Sequence, residues 1–92
     1  NESSVSNSLI ANGCVIKGNV ENSIIFRGVS IGENTVIRNS IIMQKAEIMN
    51  DSLLVDTILD KHVTINDGVN LIGSKIQPYI VEKNAIEKRE WF

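Results

Sequence analysis

The chain holds one histidine, His62, and one cysteine, Cys14, among scattered carboxylates and a few cations. A lone histidine acts as a general base only where a pocket and an orienting partner surround it. His62 directly precedes Val63, which falls on an apolar position, so alternation puts the imidazole outward beside a turn. A solvated turn residue is the preferred reading. Cys14 falls in step with Val29 and Ala46 and reads as a small core residue. One cysteine and one histidine are too few for ordinary metal-ligand sets, so no metal site is expected. Asp51, Asp56, Asp60 and Asp67 lie in turns rich in Asn, Asp and Gly, where carboxylates hydrogen-bond nearby backbone. The glycines stand singly, and no GxxxxGK[ST] or GxGxxG loop is present. Arg27, Lys61, Lys83, Lys88 and Arg89 remain as candidate ligands for an anion such as phosphate, although most surface cations bind nothing specific. No catalytic residue and no cofactor is assigned to this chain.

These residues hang on a repeat. Ser23-Ile24-Ile25, Ser40-Ile41-Ile42 and Thr57-Ile58-Leu59 recur with a 17-residue period, and Ser74 before Ile76 continues the phase. A fixed period of this size means one structural unit stacked on its own copies. Val29, Ala46, Val63 and Ile80 form one column; Ile31, Ile48 and Ile65 form another, continuing to Glu82. Thr35, Ser52 and Val69 form a third, Ile37, Leu54 and Leu71 a fourth, and Asn39, Asp56 and Gly73 a fifth at a turn. An upstream coil shows the same elements at Ser8, Cys14 and Val20 but is shorter by two positions, lost near Gly18-Asn19.

Within one coil the inward set reads as Ile25, Val29, Ile31, Thr35, Ile37 and Ile41, with gaps of 4, 2, 4, 2 and 4. That is neither the alternation of a long strand nor a helical stripe. It describes three short strands joined by polar turns, hence a triangular prism with aliphatics inside and parallel pairing between coils. One face, Ile37 to Ile41, is a residue short. The repeat coils are expected over residues 5–76 and a C-terminal end or cap over 77–92, within one domain spanning 1–92. A short helix from Ala85 to Glu90, capped by Asn84, is expected in the cap, with Trp91 and Phe92 covering the open end or packing on a partner.

At 92 residues the chain is one domain at most. The formal charge of −2 and the lack of a basic run make nucleic acid and anionic membranes poor expected partners. No apolar segment approaches the ~20 residues that cross a bilayer, and no secretory signal is visible. The unpaired cysteine fits a reducing compartment, so the cytoplasm is the expected location. A chain that starts at Asn1 is expected to be part of a longer protein, with the chemistry held elsewhere.

The order of phrases is more specific than the period. Val20-Glu-Asn-Ser-Ile-Ile-Phe-Arg-Gly-Val-Ser-Ile-Gly32 leads to Ile37-Arg-Asn-Ser-Ile-Ile-Met-Gln44, then Thr57-Ile-Leu-Asp-Lys-His-Val-Thr-Ile-Asn-Asp-Gly68 and Leu71-Ile-Gly-Ser74. Over about residues 5–86 these resemble the C-terminal β-helix domain of ADP-glucose pyrophosphorylases (glucose-1-phosphate adenylyltransferases). The Ser-Ile-Ile-Phe-Arg-Gly phrase, the Ile-Leu-Asp-Lys stretch and the late Gly-Ser…Pro…Val-Glu-Lys run resemble the GlgD-type glycogen-biosynthesis subunit more than the GlgC-type catalytic one. The resemblance implies an all-β, left-handed parallel β-helix of about four to five hexapeptide-like coils. It implies a separate N-terminal nucleotidyltransferase domain that turns ATP and glucose 1-phosphate into ADP-glucose and diphosphate. It implies a role for the β-helix in allosteric control and in homo- or hetero-oligomers with a GlgC-type subunit, with Lys61 and Lys83 matching positions that bind sugar-phosphate effectors in some members. Two other readings compete: a hexapeptide-repeat acyltransferase using His62 as base, and a purely structural self-association module.

Overall fold

The structure, a computed structural model, describes residues 3–89. Short strands build three parallel sheets, each five strands deep. The first face stacks Ser4–Ser6, Asn19–Glu21, Val36–Arg38, Leu53–Val55 and Asn70–Ile72. The second stacks Leu9–Ile10, Ile24–Ile25, Ile41–Ile42, Thr57–Leu59 and Tyr79–Val81. The third stacks Val15–Ile16, Ser30–Ile31, Glu47–Ile48, Thr64–Ile65 and Ile86–Glu87. Neighbours in each sheet are one coil apart in sequence, so the chain winds as a parallel β-helix, consistent with the left-handed hexapeptide-repeat fold. No helix occurs among the described residues.

The core is a set of columns along the axis. Ile31, Ile48 and Ile65 stack in one, Ile37, Leu54 and Leu71 in another, and Ile25, Ile42, Leu59 and Val81 in a third. All are at most 5% exposed. Cys14 is half-buried against this core, and its thiol donates to the Phe26 carbonyl at 3.1 Å. Burying aligned aliphatics stabilises the stack by roughly 25 cal/mol per Å² of apolar surface.

The Ser of each Ser-Ile-Ile phrase has its own task. The Ser23 hydroxyl donates to the Glu21 carbonyl at 2.7 Å, and the Ser40 hydroxyl donates to Arg38 at 2.7 Å. Each hydroxyl also accepts a backbone N–H from the next coil, Ser40 to Ser23 at 3.1 Å and Thr57 to Ser40 at 3.1 Å. A second ladder runs through Thr35 and Ser52 and ends at Val69. The tight turns bring no backbone partner to these N–H groups, and the small inward hydroxyl satisfies them without leaving the interior.

The structure corrects the inward assignment at the short corner. Ser40 (2% exposed) points inward and Ile41 does not; Ile42 (0% exposed) is the next core residue. Asn39, at φ 51, reverses the chain one residue early, as Asn22 and Asp56 do at φ 48 and 51 on neighbouring coils. Ile41 and its equivalents therefore face outward.

The end of the repeat also differs. Thr57 pairs with Tyr79, not with Ser74, because residues 74–78 form an insert between Gly73 and the strand. The Ser74 hydroxyl accepts the Gln77 N–H inside that insert at 3.0 Å. Ile80 is 62% exposed and Val81 takes the inward place, while Glu87, in register with Ile65, ends the isoleucine column in place of Glu82. Paired strands thus continue to Ile86–Glu87, past residue 76. The expected helix over Ala85 to Glu90 is a strand where described: Thr64 and Asn66 donate to the Ala85 and Glu87 carbonyls, each at 3.0 Å. A helix of about six residues is marginal alone, and ladder hydrogen bonds outcompete it. Glu90, Trp91 and Phe92 lie outside the described residues.

Candidate functional site: a cationic corner

The corner between the second and third faces collects most of the singled-out cations. Its turns are Asn12-Gly13, Arg27-Gly28, Gln44-Lys45, Lys61-His62 and Lys83-Asn84. In each pair the second residue has positive φ, from 59 at His62 to 75 at Gly13. Its N–H donates to the carbonyl of the first residue one coil below: Lys45 to Arg27, His62 to Gln44 and Asn84 to Lys61, at 3.0, 3.1 and 3.0 Å. The same register therefore stacks Arg27, Gln44, Lys61 and Lys83 in one outward column and Gly28, Lys45, His62 and Asn84 in the next. Lys61 and Lys83, distant in sequence, sit on consecutive coils, a spacing of about 4.8 Å between paired backbones.

Arg27, Lys45, Lys61 and Lys83 are exposed, and none of their side chains makes an ion pair or hydrogen bond with a described residue. The salt bridge seen among the described residues, Arg38 to Glu21 at 3.3 Å, lies on the first face. Asp60 and Glu82 flank the corner, but the Asp60 carboxylate accepts the Lys61 backbone N–H at 2.7 Å. Two lysines rooted one coil apart can both turn their ammonium groups to one multidentate anion, and charge-assisted hydrogen bonds of that kind are the strong ones.

The other sequence-derived candidates scatter. Lys88 and Arg89 lie with Asn66 and Asp67 near the opposite corner, and the Arg89 guanidinium approaches Gly68. His62 is exposed, and its imidazole has no hydrogen-bond partner among the described residues, so nothing orients it as a base. The aspartates keep their local roles: Asp51 and Asp56 adopt positive φ, and Asp67 accepts the Asn50 N–H at 2.9 Å. No three His, Cys, Asp or Glu side chains among the described residues are grouped to hold a metal ion. Lys45 was missed from the sequence, although it stands one full repeat before His62 and so shares its column.

A three-faced hexapeptide prism with a cationic edge is thus the class of protein. By sequence comparison the chain belongs to the GlmU-like, C-terminal hexapeptide family, whose profile matches residues 1–85. Its relatives include the glycogen biosynthesis protein GlgD of Bacillus subtilis (strain 168), 46% identical over 92% of this chain, and that of Geobacillus stearothermophilus, 51% identical over 94%. A glucose-1-phosphate adenylyltransferase of Desulfitobacterium hafniense (strain Y51) is 41% identical over 94%. The chain spans about a quarter (25%) of each of these relatives.

Proposed function

We propose that this chain is the regulatory and assembly module of a glucose-1-phosphate adenylyltransferase system in glycogen biosynthesis, of the modulatory GlgD type. It works in the cytoplasm beside a GlgC-type catalytic subunit, and the cationic corner receives a sugar-phosphate effector. The catalysed step, ATP plus glucose 1-phosphate to ADP-glucose and diphosphate, belongs to polypeptide outside this chain. The observation that carries this reading is the stacking of Lys61 and Lys83 on consecutive coils without anionic partners among the described residues. Similarity to GlgD proteins supports the branch of the family. No comparable observation favours acyl transfer, because His62 lacks an orienting partner among the described residues.

Calorimetric titration with glucose 1-phosphate, fructose 6-phosphate and inorganic phosphate tests the effector site. Lys61→Ala and Lys83→Ala are each expected to weaken sugar-phosphate binding about tenfold, equivalent to ~1.4 kcal/mol, with the melting temperature unchanged. Equal affinity in both variants, or no binding at millimolar ligand, would remove the corner from the reading. Mixing the longer protein that carries this module with a GlgC-type subunit tests modulation: unchanged kinetics and no co-elution would refute it.

A further inference from the structure

The turns of the cationic corner share one hydrogen-bonding rule, and the first of them breaks it. The peptide between Arg27 and Gly28 is held from both sides: its N–H donates to the Asn12 carbonyl at 3.1 Å, and its carbonyl accepts the Lys45 N–H at 3.0 Å. The Gln44-Lys45 and Lys61-His62 peptides are held in the same two ways. The peptide between Asn12 and Gly13 is held by its carbonyl alone, because no described residue accepts the Gly13 N–H. The Asn12 side-chain amide makes no hydrogen bond with a described residue either. Both residues are exposed, and Gly13, at φ 75, has no Cβ to crowd an approach to its nitrogen. A backbone nitrogen and an unrestrained carboxamide thus stand side by side. Other candidate sites of this kind are tied down. After Asn22, Asn39 and Asn50, the N–H groups of Ser23, Ser40 and Asp51 donate to the Ser8 hydroxyl, the Ser23 hydroxyl and the Glu33 carbonyl, at 3.0, 3.1 and 2.9 Å. In Asp67-Gly68 the Gly68 N–H donates to the Asn50 carbonyl at 3.0 Å. The Asn7 amide is engaged by the Asn22 side chain.

We propose that Asn12 is a site of spontaneous deamidation in the folded chain. The Gly13 nitrogen gives its proton to solvent base and attacks Cγ of Asn12. The N–Cγ bond forms, the Cγ–Nδ2 bond breaks, and ammonia leaves with a proton taken from solvent, closing a succinimide ring. Water then opens that ring. Attack at Cγ leaves aspartate, and attack at the main-chain carbonyl leaves isoaspartate. The sum is amide plus water to carboxylate plus ammonium, with no oxidant or reductant. Rotation of the Asn12-Gly13 peptide toward Cγ is resisted by the single bond to the Gly28 N–H, where an interior turn must break two. Either product sets a carboxylate at the foot of the column of Arg27, Gln44, Lys61 and Lys83, one coil below Arg27, and takes the formal charge of −2 one unit lower. Isoaspartate also adds a methylene to the main chain of the turn. The chemistry stands apart from the effector reading and holds whether or not the corner binds an anion.

The test compares two Asn-Gly turns in one molecule. Arg27→Asn makes a second such dipeptide at the same corner, in a turn of like backbone (φ 68 at Gly28) but held from both sides. Kept folded in warm, mildly alkaline buffer, the 92-residue chain is expected to gain about 1 Da on the peptide that carries Asn12, with ammonia released in equal amount. Asn12→Gln is expected to abolish the gain, because the longer side chain closes its ring far more slowly. In the Arg27→Asn chain the new position is expected to react at least about tenfold more slowly than Asn12 while folded, and at a similar rate in urea. Amide hydrogen exchange answers even if Arg27→Asn fails to fold. The Gly13 N–H is expected to exchange at nearly the unprotected rate, and those of Gly28, Lys45 and His62 more slowly. An Asn12 that reacts in urea but stays intact in the folded chain, equal rates at the two turns of the folded variant, or a protected Gly13 N–H would overturn the proposal.

Discussion

At Gly18 the first coil falls two positions short of its neighbours, and the turn closes against the next one. A methyl group on Gly18 would run into the Thr35 carbonyl oxygen and stand 2.8 Å from that of Gly32. Both obstacles are backbone, so neither can rotate aside. Gly18→Ala is expected to destabilise the fold by about 1–3 kcal/mol in urea denaturation; a shift under a few tenths would mean that the turn relaxes freely. Ser40 carries a second constraint of this kind. Its hydroxyl donates to Arg38 and accepts from Thr57, so removing it strands a buried N–H. Ser40→Ala is expected to cost about 1–3 kcal/mol and Ser40→Thr much less, since threonine keeps the oxygen as Thr57 does one coil on. The same measurement on exposed Ser30→Ala should show no change.

At the scale of one strand the inward column decides. Ile48 is 1% exposed between Ile31 and Ile65, with no group in the column able to pair with a charge. Ile48→Asp is expected to destabilise by on the order of 4 kcal/mol and to lower the thermal midpoint sharply. This column, with those of Ile37 and Thr35, was legible from the regular spacing, because parallel pairing without offset preserves a period. Two things were not legible. The spacing alone could not tell Ser40 from Ile41 as the inward residue, since either fits a shortened face and only the left-handed backbone of Asn39 decides. Ser74 mimics Ser23, Ser40 and Thr57 in phase, yet belongs to an insert, because a serine before a loop and a serine in a ladder look alike in one dimension. The site followed the same pattern. Lys61 and Lys83 were picked by resemblance, but their stacking depends on a lengthened last interval that the repeat hides. Excising residues 74–78 joins Gly73 to Tyr79 and restores the common interval. The excised chain is expected to stay folded with its melting temperature within a few degrees, and loss of the cooperative transition would mean that the insert supports the last coil.

Across the whole molecule, each coil touches mainly the coils above and below it. Stability in such a stack is nearly a sum of coil and interface contributions. Removing residues 1–10 takes the first strands from two faces and uncovers Val20 and Ile25, which are fully buried in the intact stack. The shortened chain is expected to remain folded, with a lower melting temperature and a smaller urea m-value by circular dichroism. An all-or-none loss of structure would show that the stack behaves as one indivisible core.

Near-identical coils bring a hazard of their own during folding. A strand such as Ile58-Leu59 meets almost the same partner whether it docks on Ile41-Ile42 or, one turn too far, on Ile24-Ile25. The unequal first and last windings limit that error. A chain that slips by one turn is two positions out of step at Gly18 and five out of step at Ser74–Pro78, so the wrong frame cannot close at either end. These two irregular lengths act as frame markers. A variant with every coil evened to the common length should reach its native state more slowly, through long-lived misthreaded species.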